Sequence, residues 1–322
     1  MSSLPWRLSE WSTLPETAHP IVDASRSTPV RHAVPIKKIE LCVLLTCYNR
    51  AAHTLKCLRA LQDSAHLEQV SVAVVLVDDG SSDGTADLVA SEFPAVEVHR
   101  HHGFPLFWCR GMHLAVKIAK TKPRDYFVFL NDDTVLFPQA LRQMLDVAVS
   151  LERSGRGPAI VVGSTQDPIS LIHTYGGERR VSSWLPTTFR LVSPSLVPQS
   201  VDTFNGNIVL IPAVAFETIG NLDPVFEHAM GDIDFGLRAR GKGIHLWLMP
   251  GFQGYCRVNP VAGTFGDPGQ SWRSRWNHML SRKGLPWRSW LHFTKRHCGL
   301  GWPIFFVWPY FRLALQGFRL KN

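Results

Sequence analysis

Four short segments hold most of the residues able to do chemistry: TCYNR (46–50), DDGSSDGT (78–85), NDDT (131–134) and GDIDFGLR (231–238). Carboxylates dominate them. One or two carboxylates, with phosphate oxygens, hold a Mg²⁺ or Mn²⁺ that carries a diphosphate. Asp132 and Asp133 can supply such carboxylates. A single carboxylate beside a hydroxyl acts instead as a general base. Plainer readings exist for each segment. An acidic turn caps the following helix, Asp78 and Asp79 form an Asx turn, and acids at a helix start complement its dipole.

Acidic turns matter only if the chain brings them together, and the elements around them do so. Apolar runs at Ile39–Leu45, Val70–Val77 and Tyr126–Leu130 read as strands, and each stops at one of the first three segments. Helical spacing follows at Ala51–Leu61, from an Asp83 N-cap to Ala90, at Gly111–Lys120 and at Pro138–Leu151. Ala95–Val98 reads as a further short strand. This alternation predicts an α/β fold with a mostly parallel, Rossmann-like sheet flanked by helices. Ligands bind such sheets beyond the carboxyl ends of the strands. Three polar strand ends on one sheet edge, two of them acidic, are a far stronger signal than any one alone.

After Gly157 the rhythm changes. Ala159–Gly163, Ile208–Ile211 and Ile244–Leu248 read as strands, and Pro212–Ile219 and Gly231–Arg240 as helices. Residues 164–203 read as loops and a small antiparallel portion. In the Gly231–Arg240 helix, acids at the start and bases at the end match the dipole, and Asp234 and Arg238 are spaced for an ion pair.

The chain has 322 residues with 45% hydrophobic and 19% charged, which excludes disordered, collagen-like and coiled-coil classes. The net charge of +8 is uneven, because residues 269–322 hold ten Lys or Arg and no acid. We therefore divide the chain into a loosely ordered arm at 1–38, a catalytic domain at 39–268 and a basic helical tail at 269–322. Six cysteines without a CxxC pair, no signal-peptide core and no long uncharged apolar run predict a cytoplasmic protein. No GxGxxG follows the first strand and no GxSxG occurs, which disfavours a dinucleotide site and an α/β-hydrolase elbow. GLRARGKG (236–243) lacks the final Ser or Thr of a phosphate-binding loop. The histidines of HRHHG (99–103) have no second ligand pair spaced for zinc.

The ordered set TCYNR, VDDGSSDGT, LNDDT and GDIDFGLR resembles an inverting family 2 glycosyltransferase of GT-A fold. FWCRGMHLAV (107–116) and FNGNIVLIPAVAFETIGNLDPVF (204–226) resemble its rhamnosyltransferase-like branch. The resemblance covers about residues 40–258. It implies a metal-assisted transfer, with inversion, of a sugar from a dTDP-rhamnose or UDP-sugar donor to a hydroxyl of a glycan or lipid-linked glycan, as in polysaccharide biosynthesis. By it, Asp133 is the metal ligand for Mg²⁺ or Mn²⁺, and Asp132 lies near the ribose and diphosphate. Asp79 reads the base, Thr46 and Tyr48 wall its pocket, and Arg50 approaches the nucleotide. Gly111, in a Trp-rich loop, permits close approach to the sugar-phosphate. Asp232 is the general base for the acceptor hydroxyl. This chain departs from the pattern at Asn131, where the family has its first acid, and at Cys109 and Arg110.

Two other readings stay open: a nucleotidyltransferase that makes nucleotide-sugars, and a non-catalytic nucleotide-sugar or glycan-binding protein. The first usually carries a Gly-rich loop after strand one, which TCYNRAAHT is not. The tail holds six of the eleven Trp, interleaved with basic residues. That composition suits the anionic bilayer interface, or else helices packed on the domain. No nucleic-acid module accompanies it.

Overall fold

The chain begins its first strand where Ile39–Cys47 (β1) runs nine residues with alternate side chains on opposite faces. Leu41, Val43 and Leu45 enter one core, and Cys42 and Leu44 enter the other. The computed structural model describes residues 38–319. The expected arm at 1–38 therefore lies outside the described residues, apart from Lys38.

Alternating elements follow: α1 (Ala51–Ser64), β2 (Val70–Asp78), α2 (Thr85–Glu92), β3 (Val96–Arg100), α3 (Phe107–Ala119), β4 (Tyr126–Leu130), β5 (Val135–Leu136) and α4 (Ala140–Arg153). Short strands come next: β6 (Ala159–Val162), β7 (Thr165–Gln166), β8 (His173–Tyr175), β9 (Gly177–Ser182), β10 (Leu185–Leu191), β11 (Gln199–Val201), β12 (Thr203–Phe204) and β13 (Ile208–Pro212). The chain continues with α5 (Ala213–Ile219), α6 (Gly231–Gly241), β14 (His245–Leu248), β15 (Gly254–Tyr255), α7 (Trp272–Leu280), α8 (Trp287–His297) and α9 (Trp302–Arg319).

The main sheet has the order β11-β14-β6-β13-β4-β1-β2-β3. β1 runs parallel to β2 and β4, and β2 parallel to β3, so the ends of β1, β2 and β4 emerge on one edge as expected. β13 is antiparallel to β4 and β6. Two small sheets accompany it: β10-β9-β12 is antiparallel, and β5-β15-β7-β8 is mixed, with β15 parallel to β7.

α1 and α4 cover one face through Leu55, Leu58, Leu141 and Met144. α3 and α6 cover the other through Met112, Val116 and Phe235. Trp290 and Phe293 of α8 join that second core. The described residues on both sides of position 268 thus share this core and belong to one compact unit. The reason is chemical: α8 carries the buried Trp290 and Phe293, with its bases gathered in the last turn. Two local expectations shift. The Trp-rich segment is not a loop, because α3 already begins at Phe107. The N-cap position of α2 is Gly84, while Asp83 accepts the backbone N–H groups of Thr85 and Ala51 at 3.1 Å each.

Candidate functional site

The three polar strand ends, two of them acidic, meet at a pair of adjoining cavities with shared lining residues. Thr46, Tyr48, Arg50, Asp79, Trp108 and Asp132 line the first. Asp133, Asn205, Gly206, Asp232 and Cys256 line the second, and Arg50, Trp108, Asp132, His228 and Lys283 border both. Every residue expected at the site from sequence is there except Gly111.

At the β1 end, the Thr46 hydroxyl donates to the Val77 carbonyl (3.1 Å), which fixes its side chain between β1 and β2. Tyr48 stays more than half exposed. Asn49, at φ 50°, accepts from the Ser82 N–H (2.7 Å) and donates its own N–H to Ser81 Oγ (2.9 Å), tying the first two loops together. Asp79 is nearly buried. Its carboxylate accepts the backbone N–H groups of Leu106 and Phe107 at 2.8–2.9 Å, at the start of α3. A carboxylate oxygen accepts more than one hydrogen bond, so Asp79 can position α3 and still face a ligand in the cavity.

Gly111 lies inside α3, buried, and not against the cavity. A Cβ there would overlap the Thr46 side chain. The absence of a side chain lets α3 pack on the end of β1, so Gly111 shapes the pocket wall from behind. Cys109 is buried and Arg110 pairs with Glu227 (3.3 Å), so neither of these unusual residues faces the cavity.

Arg50 reaches across the sheet edge. Its guanidinium bonds Asp132 Oδ1 at 3.0 Å and Asp133 Oδ2 at 2.7 Å. Burial pushes the Asp132 carboxyl up to about 7, against the pull of Arg50 and with a further push from Asp133. Asp132 Oδ2 is buried without a hydrogen-bond partner. Cys256 places its thiol 3.5 Å from Asp133 Oδ1. Among the described residues no group of three or more His, Cys, Asp or Glu converges to hold a metal alone. Asn131 has a positional role, because its Oδ1 accepts the Trp108 indole N–H (2.6 Å).

Asp232 sits in the first turn of α6. Its Oδ2 accepts the Gly206 N–H (3.0 Å) and its Oδ1 the Ile233 N–H (2.9 Å). Burial raises its carboxyl above the ordinary range, opposed by those two bonds. Such a carboxylate is a stronger base than a solvated one. Asp234, two residues on, is fully buried and points away to Arg238, Arg296 and His297. Burial opposes its charge, but these three partners outweigh that and hold it at about 2. The expected Asp234–Arg238 pair is present at 2.7 Å. It is joined by two tail residues that no local spacing could indicate.

Sequence reasoning missed His228, Lys283 and Cys256 as cavity residues. Trp108 was visible within FWCRG, but its bond to Asn131 was not.

Residues 42–190 match the family model described as Glycosyl transferase family 2, over less than half of the chain. No curated protein matches the chain. Among solved structures, one of S. aureus TarS 1–349 in complex with UDP is 13% identical with a TM-score of 0.49, covering 80% of this chain and 70% of that one. Another, of S. aureus TarS, is 12% identical with a TM-score of 0.50, covering 80% of this chain and 42% of that one. This chain therefore spans less than half of the longer TarS structure. At such identities the likeness is one of fold, and the fold is the α/β GT-A type expected. Asp232 lies beyond the matched segment, whereas Thr46, Asp79, Asp132 and Asp133 lie within it. Thr46, Tyr48, Arg50, Asp79, Trp108 and Asp132, which line the first cavity, thus lie within the matched segment, and His228 and Lys283 lie beyond it.

Proposed function

We propose that the protein is an inverting glycosyltransferase that moves a sugar from a UDP- or dTDP-sugar to a hydroxyl of a glycan or lipid-linked glycan. One observation carries this reading: the half-buried carboxylate of Asp232 faces the same cavity as the Asp132–Asp133 pair. The acceptor hydroxyl oxygen attacks the anomeric carbon, and the bond to the nucleoside diphosphate breaks with its electrons on the departing phosphate. Asp232 takes the hydroxyl proton. Thr46 and Tyr48 bound the nucleoside end of the cavity, and Asp79 faces the base there.

Asp132 and Asp133 fit Mg²⁺ or Mn²⁺, since Asp132 Oδ2 has no other partner and hard oxygen donors suit these ions. With only two carboxylates offered, phosphate oxygens and water must complete the shell. Asp133 is the principal ligand. The ion, when bound, offsets charge on the leaving diphosphate.

We place the protein in the cytoplasm, in contact with the inner face of the membrane. No helix among the described residues is long and apolar enough to cross a bilayer. α9 nevertheless exposes Ile304 (71%), Trp308 (56%) and Phe311 (50%) in a tail rich in Lys and Arg, which suits an anionic interface.

The test is a donor screen by thermal shift with UDP- and dTDP-sugars, with and without Mn²⁺. A nucleotide-sugar that binds the folded state raises the melting temperature. If no UDP or dTDP compound shifts it, the reading fails.

A further inference from the structure

A nucleoside diphosphate brings two or three negative charges into a cavity already lined by Asp79, Asp132, Asp133 and Asp232. Something in the protein must answer that charge. Arg50 is committed to both carboxylates of the Asp132–Asp133 pair. His228 is kept neutral, since burial and then the nearby Lys283 charge lower its pKa to about 4. Lys283 remains. It borders both parts of the cavity. Among the described residues no hydrogen bond or ion pair engages its ammonium.

Its position is built, not accidental. Lys283 sits in the turn between α7 and α8. Leu285 N–H donates to the Met279 carbonyl (2.6 Å), and Gly284 N–H to the Ser281 carbonyl (2.9 Å). A side chain at Gly284 would strike the backbone at His278 and Met279. Tyr310 of α9 donates its hydroxyl to the Leu285 carbonyl (2.6 Å). Arg282 is pinned by an ion pair to Glu227 and lies 4.6 Å over the Phe107 ring at the start of α3. The turn is therefore locked on both sides, and the residue between Arg282 and Gly284 opens onto the ligand cavity.

We infer that Lys283 is a phosphate-binding residue of the donor site, supplied by the C-terminal segment as a counter-charge to the nucleoside diphosphate. This rests on the nucleotide-sugar reading above and deepens it. A lysine ammonium is a compact point charge with three donors, suited to phosphate oxygens whose positions shift as the sugar–phosphate bond breaks. The tail is then part of the active unit, and α7, α8 and α9 serve to hold this turn.

The experiment compares the full chain with Lys283→Gln and Lys283→Arg by calorimetry, using UDP, dTDP, uridine and thymidine as probes, with and without Mn²⁺. Lys283→Gln is expected to weaken the diphosphate that binds by about tenfold and to leave its nucleoside unchanged. Lys283→Arg should restore most of that loss. The salt dependence of diphosphate binding should be shallower in the Gln variant. Equal diphosphate affinity in wild type and Lys283→Gln, at equal melting temperature, overturns the inference while leaving the enzyme reading intact. An equal loss for nucleoside and diphosphate overturns it too, since it marks a shape effect. If wild type binds neither diphosphate, the nucleotide-sugar reading falls and this inference with it.

Discussion

Replacing Asp234 by Asn tests how the tail is fastened to the acidic helix. Asp234 is fully buried, and its oxygens lie 2.7 Å from Arg238, 2.8 Å from Arg296 and 2.9 Å from His297. Its folded pKa is lowered from 3.8 to about 2. At 1.36 kcal/mol per pH unit this corresponds to about 2 kcal/mol of stability near neutrality. The sign follows from the direction of the shift. A depressed carboxyl pKa contributes fully above the unfolded value and is lost as pH falls through the folded one. The contribution is therefore complete above about pH 5, about halved by pH 3 and nearly gone by pH 2. Removing one partner of a buried pair costs about 3–5 kcal/mol. Here Arg296 keeps Asp223 at 2.7 Å and Arg238 keeps the Ile219 and Asn221 carbonyls, so the lower figure applies. Urea unfolding followed by tryptophan fluorescence, at pH 7, 5 and 3, gives the wild-type-minus-variant difference. That difference should be about 2–3 kcal/mol at pH 7 and shrink toward pH 3. A difference below about 0.5 kcal/mol, or one that stays flat with pH, refutes the ion-pair account.

Four further outcomes are expected. Asp232→Asn should lower transfer by about a hundred- to ten-thousand-fold while calorimetry finds donor affinity unchanged; transfer within about threefold of wild type would clear Asp232 of the base role. Asp133→Asn should abolish nucleotide-dependent Mn²⁺ binding seen by electron paramagnetic resonance, with the fold intact by circular dichroism; unaltered Mn²⁺ binding would move the metal elsewhere. Gly111→Ala should cost about 1–3 kcal/mol and weaken nucleotide binding by displacing Thr46, read by denaturant melts and calorimetry; wild-type stability would show that α3 has room against β1. Trp308→Glu together with Phe311→Glu should remove co-sedimentation with anionic vesicles at unchanged melting temperature, and equal co-sedimentation would dismiss α9 as a membrane face. Point changes are the suitable perturbation because α8 supplies Trp290 and Phe293 to the core, and removing the tail would expose it.

What the sequence determined by itself was the local grammar. Alternating apolar runs and helical spacing specify β1, α1, β2 and β4, because burial on both sheet faces leaves a continuous apolar signal in each strand. The three polar strand ends were legible for the same reason: a parallel sheet places successive strand ends on one edge. Short strands such as β5, β7, β12 and β15 were less legible, because two-residue pairings leave no period to detect. Only the tertiary structure decided which partner each charged group would have. Arg50 lies 82 residues from Asp132, and Arg296 lies 62 from Asp234. Side-chain spacing along one element predicts Asp234–Arg238, but contacts across elements depend on how helices dock. Gly111 illustrates the same limit. Its residue type announced a close approach, and only the packing of α3 on β1 told what approaches. Lys283 was invisible for the strongest reason: a lysine in a basic tail reads as solvated charge until the fold carries its turn to the mouth of the cavity.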